Sequence, residues 1–154
     1  MKKYNFQIRF FLVVVLGSTV LGGCDSSPSG GSGSLDLLQG EPAILEAVLA
    51  VDLIDDRPVG ITDTFFGSSD RIYLWIYWAA VEGRHTAEVS WYSPAQDVDD
   101  PPFRDDAESF TSSTGDQITW FFIDRPSGGF TDGEWSVDIF LDGLFERSIF
   151  FAVE

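Results

Sequence analysis

The sequence predicts an all-β protein, an antiparallel β-sandwich of about seven strands, on three observations. From Leu35 to Glu154 the apolar residues recur with period two far more than with the 3.6 of a helix. Turn-forming residues interrupt them roughly every ten to fifteen positions, and no stretch carries a convincing amphipathic helical stripe. The composition agrees, with 44% of the 154 residues hydrophobic and 15% aromatic, Phe above all, types that suit a pleated, half-buried surface. An all-β domain of this size buries a core without the help of a second domain.

The chain opens on a segment of another kind. Residues 1–23 hold Lys2, Lys3 and Arg9 with no acid, then an apolar run from Phe10 to Val20, then Leu21, Gly22 and Gly23 before Cys24. A charged start, a short apolar stretch and small residues ahead of a cleavage point are the parts of a secretory signal peptide. The run is well short of the ~20 residues a membrane-spanning helix needs. Leu-Gly-Gly-Cys at 21–24 resembles the lipobox of bacterial lipoproteins. That resemblance implies cleavage before Cys24, acylation of its thiol and a lipid anchor in the extracytoplasmic cell envelope, with inner or outer membrane left open. Each buried methylene of such an anchor contributes ~0.8 kcal/mol. Cys24 is the sole cysteine, so an internal disulfide is excluded.

From Asp25 to Ser34 the chain is built only of Ser, Gly and Pro after its first residue, and it has nothing to bury. Together with Cys24 these residues predict a flexible linker, 24–34, reaching ~15–20 Å, and the folded domain is expected over 35–154. Its first strand carries Leu45, Ala47, Leu49, Val51 and Leu53 on one face and stops at Asp55-Asp56-Arg57-Pro58. Ile72–Val81 and His85–Tyr92 flank Glu82-Gly83-Arg84 and read as a hairpin. Beyond Ser93-Pro94 come an acidic loop from Gln96 to Glu108, a short strand near Phe110, a Gly115-Asp116 turn and the strand Ile118–Ile123. After a loop over 126–133, the chain closes in a hairpin, Glu134–Leu141 and Leu144–Val153 around Asp142-Gly143. Trp135, Val137, Ile139 and Leu141 form its inward face.

Trp91–Pro94, the run Gly133-Glu-Trp-Ser-Val-Asp-Ile-Phe-Leu-Asp-Gly143 and the terminal Phe151-Ala-Val153 resemble bacterial extracytoplasmic immunoglobulin-like modules. Those often end in a Gly-x-Trp-x-Val strand, an Asp-Gly turn and a Phe-x-Val strand. The resemblance covers about the last third of the chain and the Trp91 strand. It implies an immunoglobulin-like β-sandwich and no particular activity.

Charge narrows the partners. Nine Lys+Arg stand against 25 Asp+Glu, a net charge of −16; loss of residues 1–23 would make it −19 and leave no lysine. Nucleic acid, which is held by neutralising phosphates, is not expected as a ligand. His85 is the only histidine and no Gly-x-Ser-x-Gly is present, so a serine triad has neither base nor nucleophile elbow. His/Cys zinc sites lack ligands, and among 25 acids some pairs always reach glycosidase spacing, which removes the meaning of any one pair. The reading is non-enzymatic, with no required cofactor.

Two features stand out. Asp97, Asp99, Asp100, Asp105, Asp106 and Glu108 fall within twelve residues, with Asp52, Asp55 and Asp56 at a strand end that could approach them. Calcium takes six to eight oxygen ligands and is a candidate, although the Asp-x-Asp-x-Asp-Gly register is missing and Pro101-Pro102 and Arg104 interrupt the run. A solvated acidic loop, or a surface adapted to high salt, explains the same acids without a ligand.

The second feature is the strand Ile72–Val81, apolar on both faces: Ile72, Leu74, Ile76 and Trp78 on one, Tyr73, Trp75 and Tyr77 on the other. A two-residue Glu82-Gly83 turn puts the aliphatic set inside with His85, Ala87, Val89 and Trp91, leaving Tyr73, Trp75 and Tyr77 outside near Tyr92. A three-residue turn reverses this. The first is favoured, because buried tyrosine hydroxyls need partners. An outward Tyr-Trp-Tyr row binds a partner protein or stacks on sugar rings, unless a loop such as Ile61–Phe66 covers it. The functional expectation is a lipid-anchored envelope lipoprotein serving as a protein interaction or assembly module. The alternative is a carbohydrate- or calcium-binding envelope module, and an enzyme ranks third.

Overall fold

A computed structural model describes residues 41–97 and 99–154; the signal segment, Cys24 and the linker lie outside the described residues. The chain is all-β, with nine strands among the described residues where the sequence predicts about seven. They are β1 Ala43–Ile54, β2 Arg57–Ile61, β3 Thr64–Phe65, β4 Arg71–Ala79, β5 Gly83–Tyr92, β6 Arg104–Ser112, β7 Gln117–Asp124, β8 Gly133–Leu141 and β9 Leu144–Val153. They form a β-sandwich of a four-stranded sheet, β2-β1-β4-β7, and a five-stranded sheet, β3-β9-β8-β5-β6, antiparallel except for the short parallel pair β3–β9.

The core lies where the period-two pattern puts it. Ile72, Leu74, Ile76 and Trp78 of β4 are fully buried, facing Ala87, Val89 and Trp91 of β5 and Trp135, Val137, Ile139 and Leu141 of β8. Trp135 stacks over Phe151 with ring centroids 6.1 Å apart and meets Phe103 and Phe130 edge-on at 5.1 and 5.7 Å. Two of the three fully buried indoles satisfy their N–H groups: Trp78 Nε1 donates to Thr119 Oγ1 at 2.9 Å and Trp135 Nε1 to the Thr131 carbonyl at 2.8 Å. The Trp91 indole nitrogen finds no partner among the described residues and packs edge-on against Phe151 instead.

The β8–β9 hairpin forms as predicted, its two-residue Asp142-Gly143 turn holding positive φ at both positions. Elsewhere the structure corrects the sequence reading. The strands β4 and β5 do not pair as a hairpin. They stand in different sheets, joined by an arch in which Ala80 and Gly83 have positive φ and the fully buried Val81 donates its N–H to the Gly115 carbonyl. Their apolar faces therefore meet across the core rather than side by side on one sheet.

The first strand does not keep one face either. A bulge at Leu45 shifts the register between Ile44 and Glu46, so Ile44 turns inward and Leu45 outward, while Ala47 and Leu49 keep the predicted inward face; Val51 follows them in parity but lies past Ala50, where pairing with β4 ends, and is exposed. Asp55-Asp56 does not simply end the strand; it makes a two-residue turn, both residues at positive φ, into the unforeseen β2. Ile61–Phe66 crosses to the other sheet, where Phe65 enters the core 2% exposed as part of β3.

Candidate functional site

Tyr73, Trp75 and Tyr77 lie on the outer face of the four-stranded sheet, as the aliphatic-inside assignment requires, since Ile72, Leu74 and Ile76 between them are fully buried. The register extends this row into a face. Tyr73 sits between Ala50 and Phe122, Trp75 between Val48 and Trp120, and Tyr77 between Glu46 and Ile118. Phe122 and Trp120 stack with centroids 6.3 Å apart and planes 25° from parallel, Tyr73 packs on Phe122 at 5.9 Å and Trp75 on Tyr77 at 6.3 Å. Trp120 and Ile118 are each 39% exposed and Ile61, at the β2 edge, 57%. The sequence missed the β7 contribution. Its signal was present, because Thr119, Phe121 and Ile123 alternate with Ile118, Trp120 and Phe122, making β7 a second strand apolar on both faces.

One member of the row is covered. The tip of the β1–β2 hairpin bends over the face, and the Trp75 indole donates to the Asp56 carbonyl at 2.8 Å, leaving Trp75 8% exposed. This hairpin, not Ile61–Phe66, is the covering segment. Its tip and the sheet bound a cleft of about 320 Å³ lined by Leu53, Asp55, Asp56, Arg71, Tyr73, Trp120 and Phe122.

Arg71 organises the cleft wall. Its guanidinium lies 3.9 Å above the Phe122 ring, donates from Nε to Asp124 Oδ1 at 2.7 Å and from Nη1 to the Tyr73 hydroxyl at 3.0 Å. Those acceptors, Tyr73 first and Asp124 next, hold the guanidinium pKa above its ordinary value. At the other end of the row, the Asp116 carboxylate raises the Tyr77 phenol pKa.

Tyr92 does not join this face. It stands on β5 in the five-stranded sheet, opposite Ser136, because β4 and β5 are not hairpin partners. The acids are also divided. Asp97, Asp99 and Asp100 lie in the β5–β6 loop, whose turn is closed by the Asp97 N–H donating to Asp100 Oδ2 at 2.9 Å. Asp105, Asp106 and Glu108 belong to β6, which runs through the stretch read from sequence as loop. Strand alternation sends Asp105 to the outer face, where Ser90 Oγ donates to it at 2.7 Å, and Asp106 and Glu108 to the opposite face. Asp106 pairs with Arg104, while burial and the Asp106 charge raise the pKa of Glu108. Among the described residues no three acidic, histidine or cysteine side chains are grouped to hold a metal ion. No protein-family model matches the chain, and no curated protein is significantly similar to it.

Proposed function

We propose that the chain is a non-enzymatic bacterial envelope lipoprotein, anchored through Cys24, whose immunoglobulin-like sandwich docks a partner protein on the outer face of β2-β1-β4-β7. One observation carries the reading: five aromatic residues from two neighbouring strands share a solvent-side face that a sandwich does not need for its core. Partly exposed tyrosine and tryptophan are the side chains that dominate protein interfaces, because they bring large rigid area and a polar tip at small entropic cost. The reading is tested by cross-linking the lipidated protein in intact envelopes beside a Tyr73→Ser/Tyr77→Ser variant. Trp75 is left intact because it anchors the hairpin. Loss of hot-spot aromatics costs ~2 kcal/mol or more, so capture of the partner should fall on the order of thirtyfold. Equal capture by both proteins would overturn the assignment of this face.

A specific observation favours a second reading. The exposed Trp120 ring beside Arg71, Asp124 and the Asp55-Asp56 tip offers a sugar ring both a flat apolar floor and charged hydrogen-bonding groups. Glycan-array binding lost on Trp120→Ser, with no protein captured, would replace the partner protein by a carbohydrate.

A further inference from the structure

Among the described residues each sheet presents two edge strands, and three of the four edges are defended against pairing. β3 is only two residues long, β2 carries Pro58 and Gly60, and β6 carries Arg104, Asp105, Asp106 and Glu108. Short length, proline and charge are the ordinary means by which sheet edges are kept from adding a strand. β7 has none of them ahead of its last residue, Asp124. From Ile118 to Ile123 it holds no charge, proline or glycine, and it runs against β4 through eight pairs without a bulge.

Among the described residues no strand pairs with the outer side of β7, a hydrogen-bonding row in which the Ile118 carbonyl accepts from Gln117 Nε2 at 2.9 Å and would exchange that bond on pairing. The Arg125 N–H donates to the Asp70 carbonyl at 2.9 Å in continuation of the β4–β7 register, so odd-numbered residues of β7 bond to β4. The N–H and C=O groups of Ile118, Trp120 and Phe122 then point away from the sheet. We infer that β7 pairs antiparallel with the β7 of a second copy across a twofold axis, joining two four-stranded sheets into one of eight strands.

β7 is the edge at which a second copy can approach despite the charge that both chains carry. Two chains each carrying 16 excess negative charges repel over most of their surface and can meet only where that excess is absent. Besides its uncharged run, β7 has both nearby acids at its C-terminal end neutralised, Asp124 by Arg71 at 2.6 Å and Asp70 by Arg125 at 3.0 Å. Twofold pairing is self-complementary, so a strand with alternating aromatic side chains supplies its own matching surface. The register follows from the same rule. Centred on Trp120, it would set Asp116 against Asp124; centred on Phe121, it sets Trp120 against Phe122, Ile118 against Asp124, and Gln117 against Arg125. The second register avoids the like-charge pair.

The inference stands on the strand edge and is independent of what the aromatic face binds. It is tested on the full chain carrying Cys24→Ser, in detergent, by sedimentation velocity and hydrogen exchange across a range of protein concentrations. The mass should double with concentration, and more readily as NaCl screens the acids. The amides of Ile118, Trp120 and Phe122 should gain protection in step. Trp120→Lys and Ile118→Lys, both at exposed positions, should each weaken dimerisation on the order of a hundredfold, while Tyr77→Ser, one strand inward, leaves it unchanged. A single mass at every concentration, a dimer that survives both lysine variants, or a dimer without protection of those three amides would overturn it. So would β7 amides protected only after envelope extract is added, which would give the edge to a different protein.

Discussion

At the scale of single residues, the one histidine has a structural task that no local pattern shows. His85 Nδ1 lies 2.7 Å from Asp142 Oδ2 and Nε2 3.1 Å from the Glu82 carbonyl, so both ring nitrogens face acceptors and the imidazolium satisfies both. The Asp142 hydrogen bond raises the His85 pKa above its ordinary 6.5, burial opposing and the Glu82 carbonyl adding to it. Asp142 is lowered from 3.8 by His85 and then by the Thr86 N–H, which donates to its Oδ1 at 2.8 Å. The histidine contribution is complete below 6.5 and is lost as pH rises through its raised folded value. The aspartate contribution is complete above 3.8 and is lost as pH falls through its lowered folded value. The stabilising pair is thus whole between those two ordinary values, and the melting temperature should decline as pH is raised from 6 to 9. Asp142→Asn should flatten that decline in thermal melts; an unchanged slope would mean the pair does not couple to folding. The sequence shows His85 as a polar residue beside a turn, but its partner arrives from 57 positions away.

At the scale of elements, alternation identifies the faces of β4, β5 and β8 correctly, because buried positions on a strand are fixed by period two whatever the strand pairs with. Pairing is another matter. Gly83 at positive φ serves an arch between sheets as well as a hairpin within one, so the turn signal could not separate Tyr92 from Tyr73. The acidic strand β6 was illegible for a related reason. Asp105, Asp106 and Glu108 have poor strand propensity, and only the β5 ladder from Gly83 to Trp91 holds them extended. The β1–β2 hairpin was hidden by its turn residues. Asp55 and Asp56 both adopt positive φ, 50° and 58°, a two-residue turn that prefers glycine at its second position. Asp56→Gly relieves that conformation and keeps the backbone carbonyl that accepts the Trp75 indole N–H. It should stabilise the fold by about 0.5–1 kcal/mol in denaturant titrations, within the usual cost of a left-handed non-glycine residue. A loss of stability would show that the Asp56 side chain, and not the carbonyl alone, holds the hairpin over the aromatic face.

For the whole molecule, the acid excess is carried by the surface without compensation. Among the described residues four ion pairs are formed, one of them through His85, against 25 acids in the chain. Most carboxylates therefore repel one another across the sandwich, and the screening length falls from about 10 Å at 0.1 M salt to about 3 Å at 1 M. Folding should gain from that screening, since the compact state concentrates like charge. The melting temperature is expected to rise by on the order of 5 °C over this range, the shift that about 1 kcal/mol produces in a domain of roughly this size. Calcium is the control for a specific site: at constant ionic strength, millimolar Ca²⁺ should leave the melting point in place, because Asp97, Asp99 and Asp100 are in a loop while Asp105, Asp106 and Glu108 divide between two faces of a strand. Dimerisation through β7 would also raise stability at high salt, but by mass action, and so by an amount that grows with the logarithm of protein concentration. A salt effect that persists unchanged on dilution isolates the charge of the single domain, whereas one that vanishes on dilution belongs to the paired edge. A flat melting temperature under both conditions would remove salt adaptation as the explanation of the acids.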